Sequence, residues 1–176
     1  MAQSQSHPIE THWLADDGLV PNNACLPLII YRQALPVGRP GAIEAHFARN
    51  GWSNAWVNGI YPFHHYHATV HEVLGLAAGA GRVQFGGPSG PILALNAGDA
   101  VLIPAGVGHC RIDASADLTV IGAYPGGADW DLVRAAPEAR LNSLPLIAAV
   151  PAPRCDPVLG PDGPVCRVGQ RESAIE

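Results

Sequence analysis

The sequence predicts an all-β sandwich or barrel, and three observations carry that prediction. From Tyr61 to Tyr124 the chain is a series of short apolar stretches: YPFHHYHATV, EVLGLAA, RVQFG, PILAL, DAVLIP, HCRIDA and LTVIGAY. Between them lie GAG, GPSG, NAGD, AGVG and ASAD, all turn chemistry. The regular short spacing is not that of alternating βα units.

The flanking segments divide in order. Residues 1–22 have few periodic apolar positions and read as an N-terminal arm in which His7 and His12 are solvated. Residues 23–58 hold a strand and a helix preceding the barrel. The strand lies in ACLPLIIYRQAL (24–35), whose branched apolar run ends at Arg32. PVGRPG is a linker. In AIEAHFARNGW (42–52), Ile43, Phe47 and Ala48 share a helical face, Asn50-Gly51 supplies a stop, and His46 is a solvated helix residue. Residues 59–125 form the barrel core. Residues 126–176, rich in Pro and Ala, form an extended wrapping tail with a short helical turn near Leu132–Ala136.

Composition narrows the chemistry. The chain has 176 residues, 48% apolar and 14% charged, which suits one globular domain with flanking segments. Its net charge is −5 and no basic block occurs, so nucleic acid is not an expected partner. All ten basic residues are Arg. Without lysine, Schiff-base chemistry, pyridoxal phosphate attachment and a lysine-dependent phosphate loop are excluded. Cys25, Cys110, Cys155 and Cys166 form no CxxC pair, which disfavours a zinc knuckle. No apolar run reaches a membrane span, and MAQSQSHPIETHW has no signal-like pattern, so the expected location is the cytoplasm.

The chemistry-bearing residues concentrate in GIYPFHHYHATVHE, residues 59–72, which hold His64, His65, His67, His71 and Glu72. In a strand, residues two apart share a face. His65 and His67 therefore project together, about 7 Å apart at the backbone, which suits two imidazoles on one metal ion. His64 and Tyr66 take the opposite face and pack. Periodicity supports only this first pair; further ligands must come from neighbouring strands, and Glu72 and His109 are candidates.

Two longer patterns can be read across this region. The first is Gly59, five residues, His65-Tyr66-His67, four residues, Glu72, six residues and Gly79. The second is Gly98, five residues, Pro104-Ala105-Gly106, two residues, His109, three residues and Asp113. The chain resembles the cupin superfamily, whose two motifs have these spacings, with Asp113 where the family often has Asn. NGWSNAWVNGIYPFHHYH, HEVLGLAAG, VQFGG, IPAGVGH and GAYPGGADWD resemble small single-domain bacterial cupins of the YjlB type. The resemblance implies a cupin double-stranded β-helix, or jelly-roll barrel, here with a short N-terminal helix and an extended C-terminal tail. It also implies that His65, His67, Glu72 and His109 bind one divalent transition metal per chain: Fe, Mn, Ni, Co, Cu or Zn.

Three residues are candidates for catalysis or ligand support. His71 is turned from the metal by alternation and can orient a ligand, or replace Glu72 if the strand bulges. Gln84 lies on a strand that can line the barrel. Tyr124, with Asp129 and Trp130, can close its mouth. The expected function is a metalloenzyme acting on a small organic molecule, oxygenase-type first and isomerase or lyase second. The alternative is a non-catalytic barrel that binds metal or a small ligand as sensor or carrier. Cupins commonly pair through free strand edges, so a homodimer is expected; neither a membrane nor nucleic acid is.

Overall fold

The computed structural model describes residues 7–172, with side chains to 168. Residues 1–6 of the expected arm and 173–176 of the tail lie outside it. Among the described residues eleven strands form two sheets, and every strand pair is antiparallel. The six-stranded sheet runs β1 (Ile9–His12), β2 (Leu28–Tyr31), β8 (Ala100–Ile103), β5 (Glu72–Ala78), β10 (Thr119–Pro125), β3 (Trp52–Asn58). The five-stranded sheet runs β11 (Val133–Arg134), β4 (His65–Tyr66), β9 (His109–Ala114), β6 (Ala80–Phe85), β7 (Ile92–Asn96). Facing each other, they make the expected jelly roll.

The central strands of the larger sheet are buried on both faces, which is why β2, β5 and β8 read as unbroken apolar runs. One face supplies Leu28, Ile30, Leu74, Leu76, Val101 and Ile103 to the core between the sheets, with Val83, Phe85 and Leu95 opposite. The other supplies Ile29, Tyr31, Val73, Leu102 and Ile121 to a second core under helix α1 (Pro40–Arg49) and the tail. On β5, Glu72 has the parity of Leu74 and Leu76, so a carboxylate enters the barrel at the strand's first residue.

Several sequence expectations shift. The arm contributes β1, whose Glu10 accepts from both Nε and Nη2 of Arg32 at 2.7 and 3.1 Å. WSNAWVN, part of the segment ahead of the expected barrel, is strand β3 on the sheet edge. Its polar, exposed positions hide the strand signal, and Asn54 adopts a left-handed φ of 56°. Ala48 is exposed, because the buried face of α1 is Ile43 and Phe47, one turn apart. His46 is not merely solvated; its Nε2 donates to the Val158 carbonyl at 2.8 Å.

The tail is not extended throughout: it folds into helices α2 (Pro137–Ala148) and α3 (Pro164–Glu172). The turn expected near Leu132–Ala136 is instead β11. Helix α2 starts one residue beyond that stretch, where Pro137 occupies a position that needs no N–H partner. Asn50 Nδ2 and Trp52 Nε1 donate to the Pro157 and Cys155 carbonyls at 2.8 and 2.9 Å. Tyr31, fully buried on β2, donates its hydroxyl to Asp156 at 2.5 Å. Asp156 also accepts from the amides of Val158 and Leu159. Among the described residues no helix is long and apolar enough to cross a membrane.

Tyr31→Phe removes a donor from a buried carboxylate. It should lower unfolding free energy by about 1–3 kcal/mol, measured by urea denaturation, while leaving the sheet content seen in circular dichroism unchanged.

Candidate metal centre

Strand register gathers the site. His65 on β4 sits directly opposite His109 on β9, and their rings lie 4.1 Å apart. His67, just past the end of β4, has its ring 5.9 Å from that of His109 and 6.1 Å from that of His65. Glu72 reaches them from the opposite sheet. All four are almost fully buried, and all four line a cavity of about 630 Å³.

The closest grouping is His67, Glu72 and His109, whose ligand atoms lie within 4.8 Å of one another. Glu72 Oε2 is 3.3 Å from His67 Nε2 and 3.4 Å from His109 Nε2. It is buried and makes no hydrogen bond. His65 shares the cavity wall and falls outside this tight group.

The outer nitrogens explain the arrangement. Nδ1 of His65 donates to the Phe63 carbonyl at 2.9 Å, and Nδ1 of His109 to the Val107 carbonyl at 3.3 Å. Nδ1 of His67 donates to the carbonyl of Asp131. A neutral imidazole with its proton on Nδ1 presents a bare lone pair at Nε2. The lone pairs of His67 and His109 thus converge on a carboxylate oxygen that has no partner. Such a set repels itself unless a cation sits among its atoms. The residues therefore fit a divalent metal, and imidazole with carboxylate suits the transition ions.

The electrostatics show the same demand for positive charge, which a proton on His67 meets when no other cation is bound. Burial opposes a charge on His67, but the Glu72 carboxylate more than offsets it, and the pKa moves up. Burial would also raise the Glu72 pKa, yet His67 and His109 hold it far below the usual carboxylate range. Burial, reinforced by the His109 ring, pushes His65 down to about 3, so it stays a neutral donor.

Supporting contacts fix the donors. Tyr124 donates its hydroxyl to Glu72 Oε1 at 2.9 Å and accepts from Trp56 Nε1 at 2.7 Å. Burial and the adjacent Glu72 carboxylate raise the phenol's pKa and keep it protonated. Gly122 makes this chain possible. The Trp56 indole lies directly over its Cα, in the space a β-carbon would fill. Asp131 fixes its own carbonyl by accepting from the amides of Ala68 and Thr69, each at 3.0 Å, and from the Thr69 hydroxyl at 2.7 Å. Gly106, at φ 87°, donates its amide to the His67 carbonyl at 2.7 Å, and a β-carbon there would strike the Asn22 carbonyl.

Tyr124 is the one of the three support candidates that the structure brings to the site. Trp130 lines the cavity beside it, stacked at 6.2 Å on Tyr124 and edge-on at 5.8 Å to His67. Asp129 is exposed and does not line the cavity. His71 faces away, as alternation requires. Its Nδ1 accepts from the Ala105 amide at 2.9 Å and its Nε2 donates to the Pro151 carbonyl at 3.0 Å, tying the metal strand to the tail. Gln84 lies outside the cavity and donates to the Pro88 and Gly90 carbonyls of the β6–β7 turn at 2.9 and 3.1 Å. Tyr66 packs on the opposite face as expected, donating to Ser143 at 3.0 Å. Asp131 and Trp56 were not legible as site residues, since neither has a local signal.

No family model matches the chain. It is 40% identical over 159 residues to "Uncharacterized protein YjlB" of Bacillus subtilis (strain 168), covering 90% of this chain and 95% of that one. The chain belongs to the YjlB family. Among solved structures, this YjlB-family chain is similar to acireductone dioxygenase from Bacillus anthracis, at 21% identity and a TM-score of 0.35. That likeness covers 47% of this chain and 56% of the dioxygenase. It is also similar to QdtA, a sugar 3,4-ketoisomerase from Thermoanaerobacterium thermosaccharolyticum, at 12% identity and a TM-score of 0.40, covering 52% and 73% of the two chains. At these scores the likeness is confined to part of the fold.

Tyr124→Phe should weaken zinc binding roughly tenfold without changing the stoichiometry, as loss of a ligand-orienting hydrogen bond does. Competition of the purified protein with a chromophoric chelator would measure it.

Proposed function

We propose that this YjlB-family chain is a metal-dependent enzyme acting on a small organic molecule, with oxygenase-type chemistry first and isomerase or lyase chemistry second. The observation that carries the reading is the unpartnered Glu72 Oε2 between two histidine Nε2 atoms in a cavity large enough for a substrate. His65, His67, Glu72 and His109 would hold one divalent ion. When bound, the ion would polarise an oxygen-bearing substrate or, as iron, engage dioxygen.

The chain's own residues set the stage. Phe63, Val107 and Asp131 carbonyls aim the imidazoles, and Tyr124 keeps Glu72 in one rotamer with Oε2 turned inward. Trp130 and Tyr61, both partly exposed at the cavity, are placed to limit water at its mouth. Tyr124 is the proton-bearing group nearest the ligands, held protonated and able to donate to a substrate oxygen that takes over its bond to Glu72. The open outer edges of β3 and β7 are available for pairing with a second copy, and the reading includes a cytoplasmic homodimer.

Metal analysis of tag-free protein by inductively coupled plasma mass spectrometry tests it. Near one equivalent of iron, manganese or nickel in the wild type, lost in His67→Ala, is the expected result. Oxygen uptake by the iron-loaded form with a panel of small substrates would then separate the oxygenase from the isomerase reading. A metal-free wild type that cannot be reloaded would leave a non-catalytic ligand-binding barrel.

A further inference from the structure

Beyond the metal-facing residues, the cavity continues along β9. Alternation puts His109 and Arg111 on the same face, about 7 Å apart by strand rise. Both line the cavity, as do Ala114, Ser115 and Ala116 further along the chain. Arg111 is the single arginine in that lining, and the chain has no lysine.

Its placement is fixed from behind. The backbone amide of Arg111 donates to the Tyr61 carbonyl and its Nε to the Ile60 carbonyl, both at 3.0 Å. Arg32, Arg82 and Arg140 are each paired with carboxylates. The two Nη groups of Arg111 have no hydrogen bond or ion pair among the described residues. A half-buried guanidinium, anchored at Nε and unpaired at its outer edge, is a fork for a planar anion. The surrounding wall is apolar and aromatic: Trp56, Ile60, Leu74, Leu118, Trp130 and Leu132.

We propose that Arg111 is an anion subsite, and that the ligand class is a small organic monocarboxylate with an apolar or aromatic body. Its carboxylate pairs with Arg111 and its other end reaches toward Glu72, His67 and His109. The orientation rests on reading those residues as a metal centre. One guanidinium neutralises one carboxylate. A phosphate dianion would want a second cation, and a dicarboxylate would press its other charge against Glu72. The lining offers no second arginine or lysine.

The test compares 3-phenylpropionate with its neutral amide, 3-phenylpropanamide, on zinc-loaded and metal-free protein. Binding is followed by tryptophan fluorescence, since Trp56 and Trp130 line the cavity, and by calorimetry. Wild type should bind the acid at least roughly tenfold more tightly than the amide, the factor expected of a charge-assisted hydrogen bond. Arg111→Gln should bring the two within about twofold, and Arg111→Lys should keep part of the preference, having the charge without the fork. Equal binding of acid and amide by wild type, no saturable binding of the acid, or a preference that survives in Arg111→Gln would overturn the proposal. Melting temperature and metal content of each variant are read on the same samples. An acid preference that depends on Arg111 in a protein that takes up no metal would sink the metal reading and leave the anion subsite standing.

Discussion

A carboxylate closed inside an apolar barrel is the constraint on which the rest of the site depends. Glu72 is 2% exposed, and an isolated charge so placed would be too costly to keep. One of its oxygens is satisfied by Tyr124; the other faces only the nitrogens of His67 and His109. With backbone carbonyls accepting from the far-side nitrogens, neutral imidazoles turn bare lone pairs toward it, and only added positive charge, a proton or a metal ion, relieves the carboxylate. A cation resolves the conflict for all three groups at once. The barrel therefore stores a demand for positive charge at one point, and its sheets, turns and tail serve to keep that point in place.

Each element contributes through a simple geometric rule. Alternation at the start of β5 sends Glu72 inward and His71 outward, so adjacent residues become a candidate metal ligand and a strut to the tail. Antiparallel pairing of β4 with β9 sets His65 against His109. The centre of the six-stranded sheet, apolar on both faces, is clamped by α1 and by the tail through Asp156 and Tyr31. That clamp makes β5 a rigid platform, and a metal site needs rigidity because donors must be held near the positions the ion requires.

Much of this was legible in the sequence because it is local. Short apolar runs between turn segments gave the two-sheet class, and His65, His67, Glu72 and His109 fall on spacings that a strand and its neighbours can bring together. Gly106 belongs to the same legible set, its left-handed backbone being what a Pro-x-Gly turn beside His67 requires. What stayed hidden depends on distant chain. Asp131 orients His67 from 64 residues away, and Trp56 reaches Tyr124 across 68 residues. Gln84 and His71 looked equally fit to serve the site; only the fold shows Gln84 spent on its own hairpin and His71 on Pro151. The helices of the tail escaped notice because prolines at 137 and 145 read as breakers, although the first occupies a helix start.

The most direct measurement is X-ray absorption on cobalt- or zinc-loaded protein. The account predicts a shell of nitrogen and oxygen donors at about 2.0–2.2 Å with the outer scattering of histidine rings and no sulfur. It also predicts that Glu72→Gln lowers occupancy while the histidine signal of whatever metal remains persists. A shell with sulfur at about 2.3 Å, or a metal bound equally well after Glu72→Gln and His109→Ala together, would contradict it.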